Sequence, residues 1–260
     1  MKAMRSTGTR TIKASLALAC TAAILAACNP TPPPVPSTTT STSSRPTASE
    51  LNQTTMRWID SGAIDLMSAE GTFLRAAAES FRVTESGSQP GAASLDEGYP
   101  GFRHAFNASF PAESLVVGGE TWVGTRFFEV QDVRRDDDRY TVHYCDYGSL
   151  VASKDLDGQY SSAGSRPAGG AWAMTFGPDP KLTAEQQISP KPHQRGPARK
   201  PAGNVFGTWV MFKQDTASVQ YPQCNKLAPN TPTDWPNPYV RTDPPPTLPP
   251  DPGWPEAESK

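Results

Sequence analysis

Apolar residues in the first part of the chain recur at three- and four-residue steps: Leu51, Thr55, Trp58/Ile59, Ala63, Leu66/Met67, Phe73/Leu74, Ala77 and Phe81. That spacing predicts a helical stretch with one apolar face. Thr47 and Glu50 stand at capping-box spacing at its start. Gly62 and Gly71 each cost ~1 kcal/mol relative to Ala inside a helix, so the stretch is expected as two helices or one kinked helix, ending near Val83. The segment Glu85 to Gly98 has loop composition, and Tyr99-Pro100-Gly101-Phe102 reads as a turn whose aromatics pack beneath it. Beyond it the period changes to two. Thr121 to Val130 and Arg139 to Tyr147 alternate as strands around the polar run Arg134 to Asp138, which predicts a hairpin with a charged tip. Trp172, Met174 and Phe176 mark a third strand, Asn204 to Lys213 a fourth, and Val219 to Tyr221 a short edge. Helices followed by strands imply an α+β domain, with N-terminal helices packed on an antiparallel meander sheet of three to five strands.

The two ends of the chain read differently from this middle. Lys2, Arg5, Arg10 and Lys13 precede an apolar stretch from Ala14 to Ala27, interrupted by Ser15, Cys20 and Thr21. This is short for a ~30 Å hydrocarbon core, which needs about 20 apolar residues as a helix, and it reads as the core of a signal peptide. It ends in Leu25-Ala26-Ala27-Cys28, which resembles the lipobox of bacterial lipoproteins. The resemblance implies cleavage before Cys28, lipidation of its thiol by diacylglycerol, and residence on the extracytoplasmic face of the cell membrane. An ordinary signal peptide cut after small residues is the alternative, and Cys20 after Ala17-Leu18-Ala19 is a rival acceptor that leaves too short an apolar core. Two acyl chains at ~0.8 kcal/mol per buried methylene give stable anchoring.

Residues 28–49 then form a Pro/Ser/Thr-rich tether, stiff in its proline half and flexible in its Ser/Thr half. Residues 50–228 are expected as a single domain, a length able to bury a core. Residues 229–260 carry eleven prolines among Trp235, Tyr239 and Trp254. Such a tail cannot make a regular helix or central strand. It is expected either to lie free or to dock Trp235-Pro236 and Trp254-Pro255 on the domain or a partner, and the domain is expected to fold without it.

The order of elements resembles the cystatin-like roll of the nuclear-transport-factor-2 class. The run Trp58-Ile59-Asp60-Ser61-Gly62, then Ser68 to Ala76, Glu79-Ser80-Phe81 and Tyr99-Pro100-Gly101-Phe102, is similar to lipoproteins of unassigned function from actinobacteria and their phages. That likeness covers about a fifth of the chain. It implies an envelope lipoprotein and no catalytic role.

The chain holds 24 Lys+Arg and 26 Asp+Glu. Losing Lys2, Arg5, Arg10 and Lys13 with the leader leaves 20 against 26, a charge of −6. A mildly acidic protein lacks the electrostatic footprint of a nucleic-acid binder. Cys145 and Cys224 are the cysteines of the domain, and in an oxidising compartment an even pair is expected to close. Across 79 residues the chain-entropy model gives such a bridge roughly 4 kcal/mol. A reactive Cys145 is the rival, but His143 is i−2 on the same strand, without Cys–His geometry.

Other chemistry is sparse. His104, His143 and His193 fall in separate segments, with no metal motif, so neither metal nor cofactor is expected. Asp136-Asp137-Asp138 lacks the alternate spacing, Gly and Glu of a calcium loop. The cations Lys191, Arg195, Arg199 and Lys200 lie in a Pro-rich stretch expected as an exposed loop, with docking to a cell-wall polymer as its functional reading. Three classes stay open: a non-catalytic binding or structural lipoprotein engaging the membrane and another envelope protein or polymer; a small-molecule enzyme or ligand-binding domain in the open end of a roll; and a phage-exclusion lipoprotein. His143 and Trp209 are the candidate pocket residues for the second, with Tyr144 and Asp146 as neighbours that strand alternation turns away from His143.

Overall fold

A computed structural model describes residues 46–106 and 120–257. Cys28, the leader and most of the tether lie outside the described residues. In chain order the elements are α1 (Ala48–Leu51), β1 (Asn52–Ile59), α2 (Ala69–Glu85), α3 (Phe102–Phe106), β2 (Thr121–Asp136), β3 (Arg139–Tyr147), β4 (Val151–Lys154), β5 (Tyr160–Ser162), β6 (Gly169–Pro178), β7 (Trp209–Thr216) and β8 (Tyr239–Arg241). The class is mixed helix and strand. Among the described residues the expected meander of three to five strands is replaced by a sheet of eight strands.

The largest departure is at the start. Thr47 and Glu50 do pair, with Thr47 N and Oγ1 each 2.7 Å from Glu50 Oε2, but the helix they cap lasts one turn. The chain then extends into β1, parallel to β2 with Thr55 opposite Thr125. Over eight residues a three-four spacing and an alternation overlap. The β-branched Thr54 and Thr55, with Trp58 and Ile59, favour the strand. Helix resumes at α2, where the Ser68 side chain accepts from Gly71 N at 3.1 Å. Gly71 sits in its first turn because a Cβ there would lie 2.2 Å from the Asp65 carbonyl oxygen.

The β2–β3 hairpin forms as expected, its tip at Asp137 and Asp138 exposed and Asp137 at φ 53°. A bulge between Val130 and Asp132 shifts the phase of β2. Before it Phe128 and Val130 face α2; after it Val133 does, and Asp132 turns to the opposite face beside His143. Strands β3 and β4 follow one another along β2, so the sheet forks: β6 and β7 extend it beside β3, and β5 and β8 beside β4. β6 lies where alternation placed it, and β7 begins at Trp209 instead of Asn204. Val219 to Tyr221 forms no strand.

Helix α2 packs Phe73 on Phe176 at 4.7 Å between centroids and Phe81 on Trp172 at 5.8 Å. The opposite face of the sheet is covered at one end by Tyr221, Ala228, Trp235 and Leu248, around the Cys145–Cys224 disulfide.

The C-terminal segment is part of this core: of the two readings left open for it, docking on the domain is the one observed for Trp254, and the expectation that its prolines keep it from adding a packed element does not hold. Trp254 is 1% exposed, stacked edge-on against Tyr99. Asp251 bridges the free edge of β1, accepting from Trp58 N at 2.7 Å and donating to Met56 O at 3.3 Å. Trp254 pairs with Ala198. Gly253 and Gly196 permit that approach, since a Cβ on Gly253 would lie 2.2 Å from Gly196 O. Proline removes donors but keeps its carbonyl. The tail is held largely through those oxygens: Pro244 O accepts from Arg241, Pro246 O from Thr125, Pro249 O from Arg57 and Pro252 O from Arg75.

Candidate functional site

Two ionic clusters project from α2, and the difference between them locates the site. Arg75 and Glu79, one turn apart, are 0% and 1% exposed. Arg75 donates to Gln194 O at 2.8 Å, Pro252 O at 2.6 Å and Gly253 O at 3.0 Å, and its guanidinium lies over the Trp254 ring at 4.3 Å. Glu79 accepts from the indole N–H groups of Trp58 and Trp254, each at 2.8 Å, and its Oε2 lies 2.8 Å from the Tyr99 hydroxyl. Burial pushes Glu79 above the ordinary carboxylate range, opposed by Arg75 and by these donors. Burial likewise lowers Arg75. The C-terminal segment seals this cluster.

The second cluster gathers residues from three elements. Asp146 of β3, 3% exposed, accepts on Oδ1 from Arg126 of β2 at 2.7 Å and on Oδ2 from Arg82 of α2 at 2.6 Å. Arg82 also pairs with Glu85 and lies over the Trp172 ring at 4.7 Å. Burial alone raises the Asp146 carboxyl, but Arg126 and Arg82 outweigh it and hold the group below its usual value. Among the described residues Arg126 makes this one hydrogen bond, and its remaining donors have no protein partner.

Arg126 lines a cleft of about 210 Å³ with Arg82, Glu85, Ser86 and Trp122, and Asn52 and Thr54 form its far wall. The same Asn52 and Thr54 line a larger cleft of about 490 Å³, walled by Met56, Val83, Tyr99, Pro100 and Pro201 and rimmed by Lys200. Most charged groups of the larger cleft are already engaged. Glu97 accepts from Ser88 N, Ser88 Oγ and Gln89 N. Asp96 pairs with Arg103 at 2.5 Å. Arg199 donates to Asn52 O at 3.2 Å and Thr54 O at 2.7 Å, closing the edge of β1. Lys200 has no side-chain partner among the described residues.

The residues expected to share a pocket are not together. Trp209 is buried on the α2 face, stacked on Tyr140 at 5.9 Å. His143 lies on the other face, its Nδ1 2.8 Å from Asp132 Oδ1 and its ring stacked on Tyr221 at 4.8 Å. Neither lines the two clefts. Tyr221 also donates to Asp132, whose carboxyl is lowered because these hydrogen bonds exceed the effect of its burial. Cys145 is bridged to Cys224 with Cα atoms 5.1 Å apart. Of the basic stretch, Arg199 is drawn inward, Arg195 reaches Asp251 at 3.2 Å, and Lys200 alone joins it at the larger cleft. Among the described residues no three His, Cys, Asp or Glu side chains group to hold a metal ion, and no helix is long and apolar enough to cross a membrane.

Comparison with models of known protein families, with curated proteins and with solved structures finds no match.

Proposed function

We propose that this protein is an envelope lipoprotein, anchored through Cys28, whose domain binds a ligand in the paired clefts beside β1 and carries out no chemistry on it. The carrying observation is the state of the charged groups around those clefts. Asp96, Glu97, Glu85, Arg82 and Asp146 are tied to chain partners, while among the described residues the donors left without a partner belong to Arg126, to Lys200 and to the Nε and Nη1 of Arg199. Such donors hold and orient an anionic or polar group. The lipobox, the Pro/Ser/Thr-rich tether and the disulfide support an exported, anchored context.

The test is complementation in the native host, in an assay where loss of the gene has an effect. Cys28→Ala is expected to leave the detergent phase and to lose the effect. Ala202→Trp, which adds bulk at the mouth of the larger cleft from an exposed loop position, is expected to lose it while staying lipidated and abundant. His143→Ala is expected to retain it. Loss with His143→Ala and retention with Ala202→Trp would move the site to the Asp132–His143–Tyr221 group and favour the enzyme reading.

A further inference from the structure

The two clusters on α2 differ in how their guanidinium groups are satisfied, and that difference specifies a ligand. Arg75 spends its terminal nitrogens on carbonyls of residues 194, 252 and 253 and is 0% exposed, its buried Nε left without a partner. Arg126 donates once, to Asp146, and borders open volume. Asp146 offers both oxygens but faces two guanidinium groups, so one positive charge is unanswered by that carboxylate. Glu85 also lines the smaller cleft, and its carboxylate is committed to Arg82. Arg82 and Arg126 are thus balanced by Asp146 and Glu85, so what Arg126 offers a ligand is unfilled donors and not excess charge, and a dianion would meet Glu85 and Asp146 at close range.

From this, we infer that the smaller cleft is a carboxylate subsite built on Arg126, and that the two clefts together take a small carboxylic acid with an apolar body. This rests on the binding reading above and adds the ligand class to it. A guanidinium with free donors presents a planar fork matched to a carboxylate. The clefts share Asn52 and Thr54 in their walls, and the apolar body of the ligand is placed on Met56, Val83, Tyr99, Pro100 and Pro201. A volume of about 490 Å³ lies in the range of small-molecule sites. An extended peptide adding to the sheet fits less well. The outward groups of β1 there are taken: Asn52 O and Thr54 O by Arg199, and Thr54 N by Asn52 Oδ1 at 3.1 Å.

The experiment is calorimetric or NMR titration of the full mature chain with decanoate, beside acetate, decanol and decyl phosphate. Decanoate is expected to bind saturably, roughly tenfold or more tightly than acetate or decanol, because head and body subsites must both be filled. Arg126→Gln is expected to weaken decanoate by roughly tenfold and to leave decanol unchanged. Because that variant also touches Asp146, Ala202→Trp serves as a second: it lies away from both ionic clusters and is expected to weaken decanoate while leaving the melting temperature as in wild type. Equal binding of decanoate and decanol, tighter binding of decyl phosphate than decanoate, or undiminished decanoate binding by both variants would overturn the carboxylate assignment. Loss of the cellular effect in Ala202→Trp together with no decanoate binding would remove this ligand class and leave the cleft as the binding site.

Discussion

Along one helix the chain buries two sets of opposite charges and completes them in opposite ways. The Arg75–Glu79 set is finished by distant chain: carbonyls of residues 194, 252 and 253 on the cation, indole N–H groups of Trp58 and Trp254 on the anion. The Arg82–Asp146–Arg126 set is finished from three packed elements and then opens to a cleft. A buried charge needs partners on every side. The Arg75–Glu79 cluster is closed to solvent even though the buried Arg75 Nε is left without a partner, and it is structural; where a guanidinium borders a cleft with donors unfilled, it is available to a ligand. Residue types alone do not separate the cases, since each contains arginine and a carboxylate.

The largest expected effect breaks the closed cluster from outside. A chain ending at Ala228 removes Trp254, the carbonyls on Arg75 and the Asp251 bridge to β1. It is expected to show no cooperative thermal transition by circular dichroism, the reverse of what proline content suggests. A next step down is Glu79→Ala in the full chain, which orphans buried donors and leaves Arg75 without its countercharge; a loss of ~3–5 kcal/mol is expected in denaturant unfolding. Arg126→Gln is milder, at ~1–3 kcal/mol, because Asp146 retains Arg82 and the cleft admits water. Equal losses at Glu79 and Arg126 would erase the distinction.

The distinction is also expected to appear with opposite signs in pH. Asp146 is held low, so its contribution is present above its unfolded value near ~3.9 and lost as pH falls through the folded value. Glu79 is held high, so its contribution is full below about 4.3 and lost as pH rises through the folded value. Stability measured against pH is therefore expected to shift toward Glu79→Gln, relative to wild type, as pH rises above the carboxylate range. Asp146→Asn is expected to flatten the acid limb below it. A Glu79→Gln difference that stays constant with pH would contradict the raised carboxyl.

Much of the framework is legible where periodicity is long. The β2–β3 hairpin, β6 and α2 each repeat their pattern enough to fix the element, and the even pair of cysteines in the domain points to the bridge. β1 is misread because eight residues satisfy both periods at once. β4, β5 and β8, of three or four residues, carry too little pattern to show. Docking of the tail is one of two readings its sequence leaves open, and counting prolines cannot choose between them, because prolines count missing donors whereas the attachment runs through carbonyl oxygens and one indole. The clefts have no motif. Asn52, Arg82, Trp122 and Arg126 meet only once β1 lies parallel to β2 under α2, a pairing that local pattern does not encode. Trp209 and His143 are grouped as pocket residues by residue type, and strand alternation puts Trp209 on the α2 face with Tyr140 and Phe176 and His143 on the other.

The account turns on a sealed cluster beside an open one, and tryptophan indoles report on each. Trp58 and Trp254 donate to Glu79, while Trp122 walls the smaller cleft. An indole-region proton–nitrogen NMR spectrum of the full mature chain, recorded during decanoate titration and then in deuterated buffer, reads all three at once. The Trp122 signal is expected to shift and saturate, with the Trp58 and Trp254 signals unmoved and slow to exchange. Rapid exchange of Trp254, or saturable binding that moves Trp254 and leaves Trp122 in place, would contradict it.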